Sequence, residues 1–62
     1  MSLKFVRLRE VLSMTALSRS TIYREISLGN FPRPVPIGRR AVAWVFDEVE
    51  SWCHARIAGR AA

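Results

Sequence analysis

The sequence predicts a small α+β fold in which three short helices accompany a two-stranded β-hairpin. The prediction rests on the chain length of 62 residues, on two helical patterns separated by a short turn, and on a proline-rich stretch before a glycine turn. A chain of this length forms one domain, which we expect to span residues 1–62 with an ordered core of about 5–58. Because a core this small contributes only about 3–5 kcal/mol, there is little room for an enclosed active-site pocket.

Two helices joined by a short turn are predicted in the first half of the chain. Leucine and valine recur at spacings of three and four residues over the first helix, which we place at about Arg7–Met14. Ser18 is a good N-cap for the second helix, and Leu17 and Ile22 occupy the positions of a hydrophobic staple. Gly29 supplies the stop signal. The turn has about three residues, which is typical of a helix-turn-helix.

The second helix carries a polar face opposite its isoleucines. Short hydroxyl side chains allow a helix to approach a DNA major groove closely, arginine pairs with phosphate or guanine, and tyrosine donates to phosphate. The free N–H groups of the first turn also favour a phosphate. The alternative interpretation is an ordinary solvated helix face. The candidate DNA-binding residues on this helix are Arg19, Ser20, Thr21, Tyr23, Arg24 and Ser27.

The prolines at 32, 34 and 36 predict an edge strand. Alternate N–H groups of an extended chain point to the same side, so the three missing donors lie on one edge. The other edge is free to pair with a strand at Ala41–Val45, across a turn where Gly38 permits a positive φ. An arginine-tipped hairpin can act as a wing on a DNA backbone or minor groove, although it can also be an incidental surface hairpin. The candidate wing residues are Arg33, Arg39 and Arg40.

A third helix is predicted from Asp47, which has capping-box spacing to Glu50. Trp44 and Trp52 are expected to be the largest pieces of the core rather than surfaces for base stacking. An apolar stripe of the helix is expected to face the rest of the domain and to bury Cys53. The stripe consists of Val49, Trp52, Cys53, Arg56 and Ile57.

The residue types argue against catalysis and metal binding. The single histidine, His54, is adjacent to the single cysteine, and neighbours on a helix lie about 100° apart, so the two cannot form a nucleophile and base pair. A metal site needs more such ligands. We therefore predict no catalytic residues, no metal and no cofactor, and a surface position for His54. One cysteine and the lack of a membrane-length apolar run predict a cytoplasmic protein without a membrane partner.

The charge balance favours a nucleic-acid partner. Ten Lys+Arg residues against five Asp+Glu residues give a formal net charge of +5, and nine of the ten cations are arginine. Arginine presents a planar fork that pairs with phosphate or with a guanine edge, whereas lysine acts as a hydrated point charge. A basic surface that meets an acidic protein is the alternative from another functional class.

From about Val6 to Ile57 the chain resembles the AlpA-type prophage regulators, within the broader excisionase and MerR-like winged helix-turn-helix group. The motifs that carry the resemblance are "LSRSTIYR", "GNFPRPV", "GRRAVAW" and "EVESW". Phe46 and Cys53 depart from residues that are commonly more polar or aliphatic there, which questions the local packing. The resemblance implies binding to double-stranded DNA, through the second helix and a wing at Arg39 and Arg40.

Two related functions follow from the same resemblance. One is transcriptional activation of an integrase gene, with RNA polymerase as a protein partner. The other is that of an excision directionality factor, which bends DNA and recruits an integrase. One recognition helix covers few base pairs, and the sequence has no heptad pattern for an obligate dimer. We therefore expect a monomer in solution that assembles cooperatively on adjacent DNA sites.

Overall fold

The computed structural model describes residues 3–60, so residues 1–2 and 61–62 of the predicted domain lie outside the described part. Three helices and a three-stranded sheet confirm the predicted α+β class and are consistent with a winged helix-turn-helix. The elements are, in chain order, β1 (Phe5–Val6), α1 (Leu8–Thr15), α2 (Arg19–Ser27), β2 (Val35–Gly38), β3 (Ala41–Val45) and α3 (Phe46–Ala58).

The α1–α2 turn has the three residues that the sequence predicts. Ala16 adopts a left-handed conformation with φ of 61°, and its N–H donates to the Leu12 carbonyl. The chain then enters α2 at Ser18, whose side-chain oxygen accepts the Thr21 N–H at 3.2 Å. This bond confirms Ser18 as the N-cap, because it satisfies one of the donors that the first helical turn leaves free.

Helix α2 ends in a Schellman motif. The Asn30 N–H donates to the Glu25 carbonyl at 2.8 Å, and the Gly29 N–H donates to the Ile26 carbonyl at 3.0 Å. Gly29 has φ of 78°, which glycine adopts without the strain of a Cβ. The predicted stop is confirmed, and the motif satisfies the carbonyls of Glu25 and Ile26.

The sheet has one more strand than the sequence predicts. Its order is β1-β3-β2, and both pairings are antiparallel. Strand β2 lies at an edge, as predicted, but it contains only Pro36, and Pro32 and Pro34 precede it. On the other side of β3, β1 pairs Phe5 with Val45 and Val6 with Trp44. The predicted two-stranded hairpin is confirmed as β2 and β3. The additional strand β1 was not predicted because it has two residues, too few to produce an alternating pattern.

The hairpin turn differs from the prediction at Gly38. Positive φ angles in residues 3–60 occur at Ala16 and Gly29, so Gly38 does not use its conformational freedom. The turn itself is Arg39–Arg40, and the strand register shifts between Pro36 and Gly38. Such an irregularity bends and twists a strand locally. The hairpin therefore closes without a left-handed residue at its tip.

Helix α3 begins directly after β3, which makes the predicted capping box wrong. Its N-cap is Val45, which has no side-chain capping bond. The Phe46 N–H instead donates to the Lys4 carbonyl at 2.8 Å, so the chain beside β1 satisfies this donor. Asp47 and Glu48 lie in the first turn, where negative charge stabilises the helix.

The core lies between the helices and the sheet. Trp44 is fully buried, and its indole N–H donates to the Pro32 carbonyl at 3.0 Å. Trp52 is half-buried and packs against the same cluster as Phe46, which confirms both tryptophans as core residues. The other buried side chains of this cluster are Val6, Val11, Ile22, Phe31 and Val49.

The apolar stripe of α3 is shorter than predicted. Cys53 is half-buried rather than buried, and its thiol lies 3.7 Å from the Met14 carbonyl oxygen. From His54 onward the helix is exposed, with Ile57 at 56%. The second half of α3 is therefore largely exposed, and Arg56 is not part of the core. The surface position of His54 is confirmed.

Candidate nucleic-acid interface

The predicted recognition residues divide between two sides of α2: Tyr23 and Arg19 lie towards the sheet, and the other four lie on the side opposite the isoleucines. Ile22 is fully buried, which fixes the orientation of the helix. Thr21 is half-exposed and the other five residues are exposed. The six are Arg19, Ser20, Thr21, Tyr23, Arg24 and Ser27.

On the side of α2 that faces the sheet, an aromatic stack leads from the core to an arginine. The Tyr23 ring meets the buried Trp44 ring edge to face, with 6.4 Å between centroids and 66° between planes. The Arg19 guanidinium lies 5.8 Å from the centroid of the Tyr23 ring. Cation–π attraction at this distance restrains the guanidinium and leaves N–H donors available to a ligand.

The hydroxyl groups of α2 differ in whether their protons are available to a ligand. Ser27 donates its hydroxyl proton to the Arg24 carbonyl at 2.7 Å, so it can offer only an acceptor to a ligand. The Thr21 oxygen accepts from Ser18 at 2.9 Å, so its own proton points elsewhere. Ser20 is exposed near the first turn. Thr21 and Ser20 are therefore the hydroxyl donors suited to an acceptor such as phosphate.

On its other side, α2 borders a groove shared with α3, which we call the α2–α3 groove. It has a volume of about 420 Å³, enough to admit a small anionic group. The Arg56 guanidinium lies 5.1 Å from the centroid of the Trp52 ring within this groove. The residues that line it are Thr15, Leu17, Thr21, Arg24, Glu25, Trp52 and Arg56.

Arg56 was not among the predicted site residues. Its sequence spacing indicated a place on the apolar stripe of α3, whereas in the structure its charged group lies over an aromatic ring at the edge of α2. The signal present in the sequence is its distance of four residues from Trp52, which brings two side chains together on a helix surface.

The three predicted wing residues are not brought together. Arg39 and Arg40 form the exposed turn that follows β2. Arg33 precedes β2 and lines a separate groove with the first turn of α3, where Asp47 and Glu48 also lie. Arg33 is thus at the opposite end of the strand from the tip, in a mixed-charge environment.

Neither a membrane-spanning helix nor a metal-binding cluster is present in the part of the chain that the structure describes. No helix within residues 3–60 is long and apolar enough to cross a membrane. No group of three or more histidine, cysteine, aspartate or glutamate side chains in this range is placed to hold a metal ion.

Comparison with known proteins identifies the family. The family model described as "Prophage CP4-57 regulatory protein (AlpA)" matches residues 4–57, a range that includes the helix-turn-helix, the sheet and nearly all of α3. "Uncharacterized protein ORF88" of Enterobacteria phage P4 is 49% identical over 57 residues, which cover 92% of this chain and 65% of the phage protein. The chain thus spans somewhat less than two thirds of that relative. From the family match over this range, the chain belongs to the AlpA family of prophage regulatory proteins.

Proposed function

We propose that this protein is a sequence-specific regulator of a phage or related mobile element that binds double-stranded DNA. Helix α2 enters a major groove, and the hairpin tip contacts adjacent backbone or a minor groove. The observation that carries the proposal is the outer face of α2, where the exposed side chains can all donate or accept hydrogen bonds. Membership of a prophage regulatory family supports the regulatory role.

Recognition of bases falls to the middle of α2. The major groove admits one α-helix, and arginine pairs bidentately with guanine O6 and N7. Arg24 is exposed near the centre of the outer face, so we assign it to a guanine. Ser20 and Ser27 are short enough to let the helix approach, and Ser27 can accept from a base amino group.

We assign contacts with the DNA backbone to residues on either side of this outer face of α2. Arg19 lies in the first turn of α2, where free N–H groups also attract phosphate. Tyr23 presents its phenol beside it. We assign the wing contact to Arg39 and Arg40, which are exposed at the tip. Arg33 is left out of this assignment because Asp47 and Glu48 line the same groove.

Selection of bound duplexes from a random pool, followed by titration of the selected duplex at several salt concentrations, tests the proposal. We expect a preferred sequence and a log–log salt slope of about −0.9 per phosphate contact. A chain that binds acidic proteins tightly and shows no preferred duplex would instead be a protein-interaction module. An integrase that joins the complex, together with a bent duplex, would favour an excision directionality factor over a transcriptional regulator.

The number of copies on DNA is a separate part of the proposal. A single module of this size buries roughly 600–1,000 Å² of protein surface on DNA, a small footprint for choosing one genomic site. We propose a monomer in solution that binds adjacent sites cooperatively. Analytical ultracentrifugation of the free protein and titration of duplexes with one or two sites test both halves. A stable free dimer, or equal affinity per site on both duplexes, contradicts this model.

A further inference from the structure

We propose that the α2–α3 groove binds a phosphate of the DNA backbone and that Arg56 is its principal ligand. The proposal rests on the proposed function and adds a contact from α3, on the opposite side of α2 from the sheet. The groove brings an arginine from each helix and an aromatic platform together. This combination suits a small, hydrated, doubly accepting anion.

Arg56 is held in place by a chain of contacts that begins in the core. Phe31, only 4% exposed, meets Trp52 edge to face with 5.0 Å between ring centroids. The Trp52 indole N–H donates to the Asn30 carbonyl at 2.8 Å, which fixes the ring. The Arg56 guanidinium lies 5.1 Å from the centroid of that ring, where cation–π attraction restrains it and leaves N–H donors for a bidentate contact.

The groove borders the outer face of α2. Arg24 belongs to both, since it is exposed on the outer side of the helix and also lines the groove. Tyr23, by contrast, lies towards Trp44 in the sheet. A duplex seated on α2 would therefore meet cations on both flanks, with Arg56 on the flank away from the sheet.

The hydroxyl groups of the groove divide into one available donor and one that is already used. Thr15 donates to the Val11 carbonyl at 2.9 Å and accepts the Leu17 N–H at 3.2 Å, so its proton is committed. The Thr21 oxygen accepts from Ser18, which leaves its proton for another acceptor. Thr21 is thus the second ligand that we assign to the phosphate.

One carboxylate opposes an anion in this groove. Glu25 lines it and is half-exposed, so its charge weakens phosphate binding at short range. The same charge discourages binding of free anions that lack the other contacts of a duplex. We therefore assign the groove to a phosphate of DNA and expect inorganic phosphate alone to bind weakly.

The direct test is Arg56→Ala, measured on the selected duplex and on an unrelated duplex over a range of salt concentrations. We expect both affinities to fall by a similar factor, because a phosphate contact carries no base information. The slope of log affinity against log salt concentration should become shallower by about 0.9. Between 50 and 200 mM salt, the affinity of the variant should therefore decrease by a factor roughly threefold smaller than that of the wild type. Arg56→Lys should restore the slope, because lysine also neutralises a phosphate.

Lys4→Ala is the matched control. Lys4 also lies over an aromatic ring, 5.0 Å from the centroid of Phe46, so the variant removes one charge and one cation–π contact. Phe46 is ten residues before Arg56 on α3, roughly 15 Å along the helix axis. The control should keep the wild-type slope. An equal change of slope in both variants would overturn the proposal, because any loss of charge would then suffice.

Two further measurements distinguish a DNA phosphate from a free anion in the groove. Glu25→Gln should tighten binding to both duplexes a few-fold, and no tightening would count against an anion in the groove. Titration of the free protein with inorganic phosphate, followed by the NMR signal of the Trp52 indole N–H, should show only weak binding. Saturation of the groove by millimolar or lower phosphate would instead assign it to a free anion.

The failure of this proposal is distinguishable from the failure of the proposed function. If the wild-type protein selects no duplex and shows no salt dependence, then DNA binding itself is wrong. If the wild-type protein binds its duplex as expected and Arg56→Ala has the same affinity and slope, the α2–α3 groove is not a phosphate site while DNA binding stands.

Discussion

The arginines beside α2 and those at the hairpin tip have the same charge but very different support. Arg19 lies over Tyr23 and Arg56 lies over Trp52, and each of these rings packs against a buried aromatic residue. Arg39 and Arg40 form a two-residue turn at the exposed end of an edge strand. The two groups therefore differ in how far their side chains are restrained before DNA binds. The sequence does not distinguish them, because both are arginines.

Prior order changes what an arginine contributes on binding. An arginine side chain carries roughly 2 kcal/mol of rotamer entropy, part of which is lost when it is fixed on a ligand. A guanidinium that lies over an aromatic ring has lost some of that entropy during folding, so it can fix the register of a helix on DNA. An unsupported tip arginine supplies mainly charge, and it can follow a backbone of variable position.

The largest effect should come from removing the support itself. Trp44→Ala deletes the fully buried ring beneath Tyr23, and truncation of a buried aromatic costs about 3–5 kcal/mol. Since a core of this size supplies only about 3–5 kcal/mol, the variant should be largely unfolded at about 25 °C. Far-UV circular dichroism with a thermal melt measures this. Trp44→Phe should keep a cooperative melt at lower temperature, and a wild-type melt for Trp44→Ala would show that the Trp44 ring does not stabilise the fold.

Removal of the base-reading arginine should have the next largest effect. Arg24→Ala should weaken binding to the selected duplex by roughly 1–3 kcal/mol and relax the preference at one base position. Its thermal stability should hardly change, because Arg24 is exposed. Repeating the duplex selection with the variant measures both outcomes. A uniform decrease of affinity on all sequences would make Arg24 a backbone contact, and unchanged affinity would remove it from the interface.

The wing pair should show a smaller effect with a different signature. Replacing Arg39 and Arg40 with alanine should weaken binding without changing the preferred sequence, and the salt slope should become shallower by about 0.9 for each phosphate that is no longer neutralised. The fold should persist, because both residues lie in the exposed turn. An Arg33→Ala variant is the internal control and should keep the wild-type slope. A slope unchanged in the pair would place the tip away from DNA.

Local chemistry accounts for the parts of the fold that could be predicted from the sequence. The Ser18 cap, the Gly29 stop and the three-residue turn depend on neighbours within a few positions, and all three are confirmed. Strand β1 and the start of α3 depend on distant partners. The Phe46 N–H is satisfied by the Lys4 carbonyl, which is far away in sequence, so no local signal marks that helix start.

The residues of the candidate site also differ in whether local sequence predicts their positions. The outer face of α2 follows from helical periodicity once Ile22 is known to point inward. Arg56 was missed because its position on the stripe of α3 also suits a residue that packs on the core. Arg33 was grouped with Arg39 by proximity in sequence, although β2 separates them and places Arg33 beside acidic residues. Which charges share a surface is a tertiary property that residue order alone does not contain.

The smallest effect is expected at a glycine beside the hairpin tip, and a glycine at the end of α2 is the comparison. Gly38→Ala, at the base of the tip, should change the free energy of unfolding by less than about 0.5 kcal/mol. Its φ is not positive, and an added Cβ would meet the Ala41 Cβ at an ordinary 3.8 Å. Gly29→Ala, at the end of α2, has φ of 78° and should cost roughly 1–2 kcal/mol although its Cβ would meet nothing within 4 Å. Urea unfolding of the two variants measures the contrast. Equal costs at the two positions would mean that the hairpin turn requires glycine as strongly as the end of α2 does. The backbone at the hairpin tip would then be as constrained as the backbone at the end of α2.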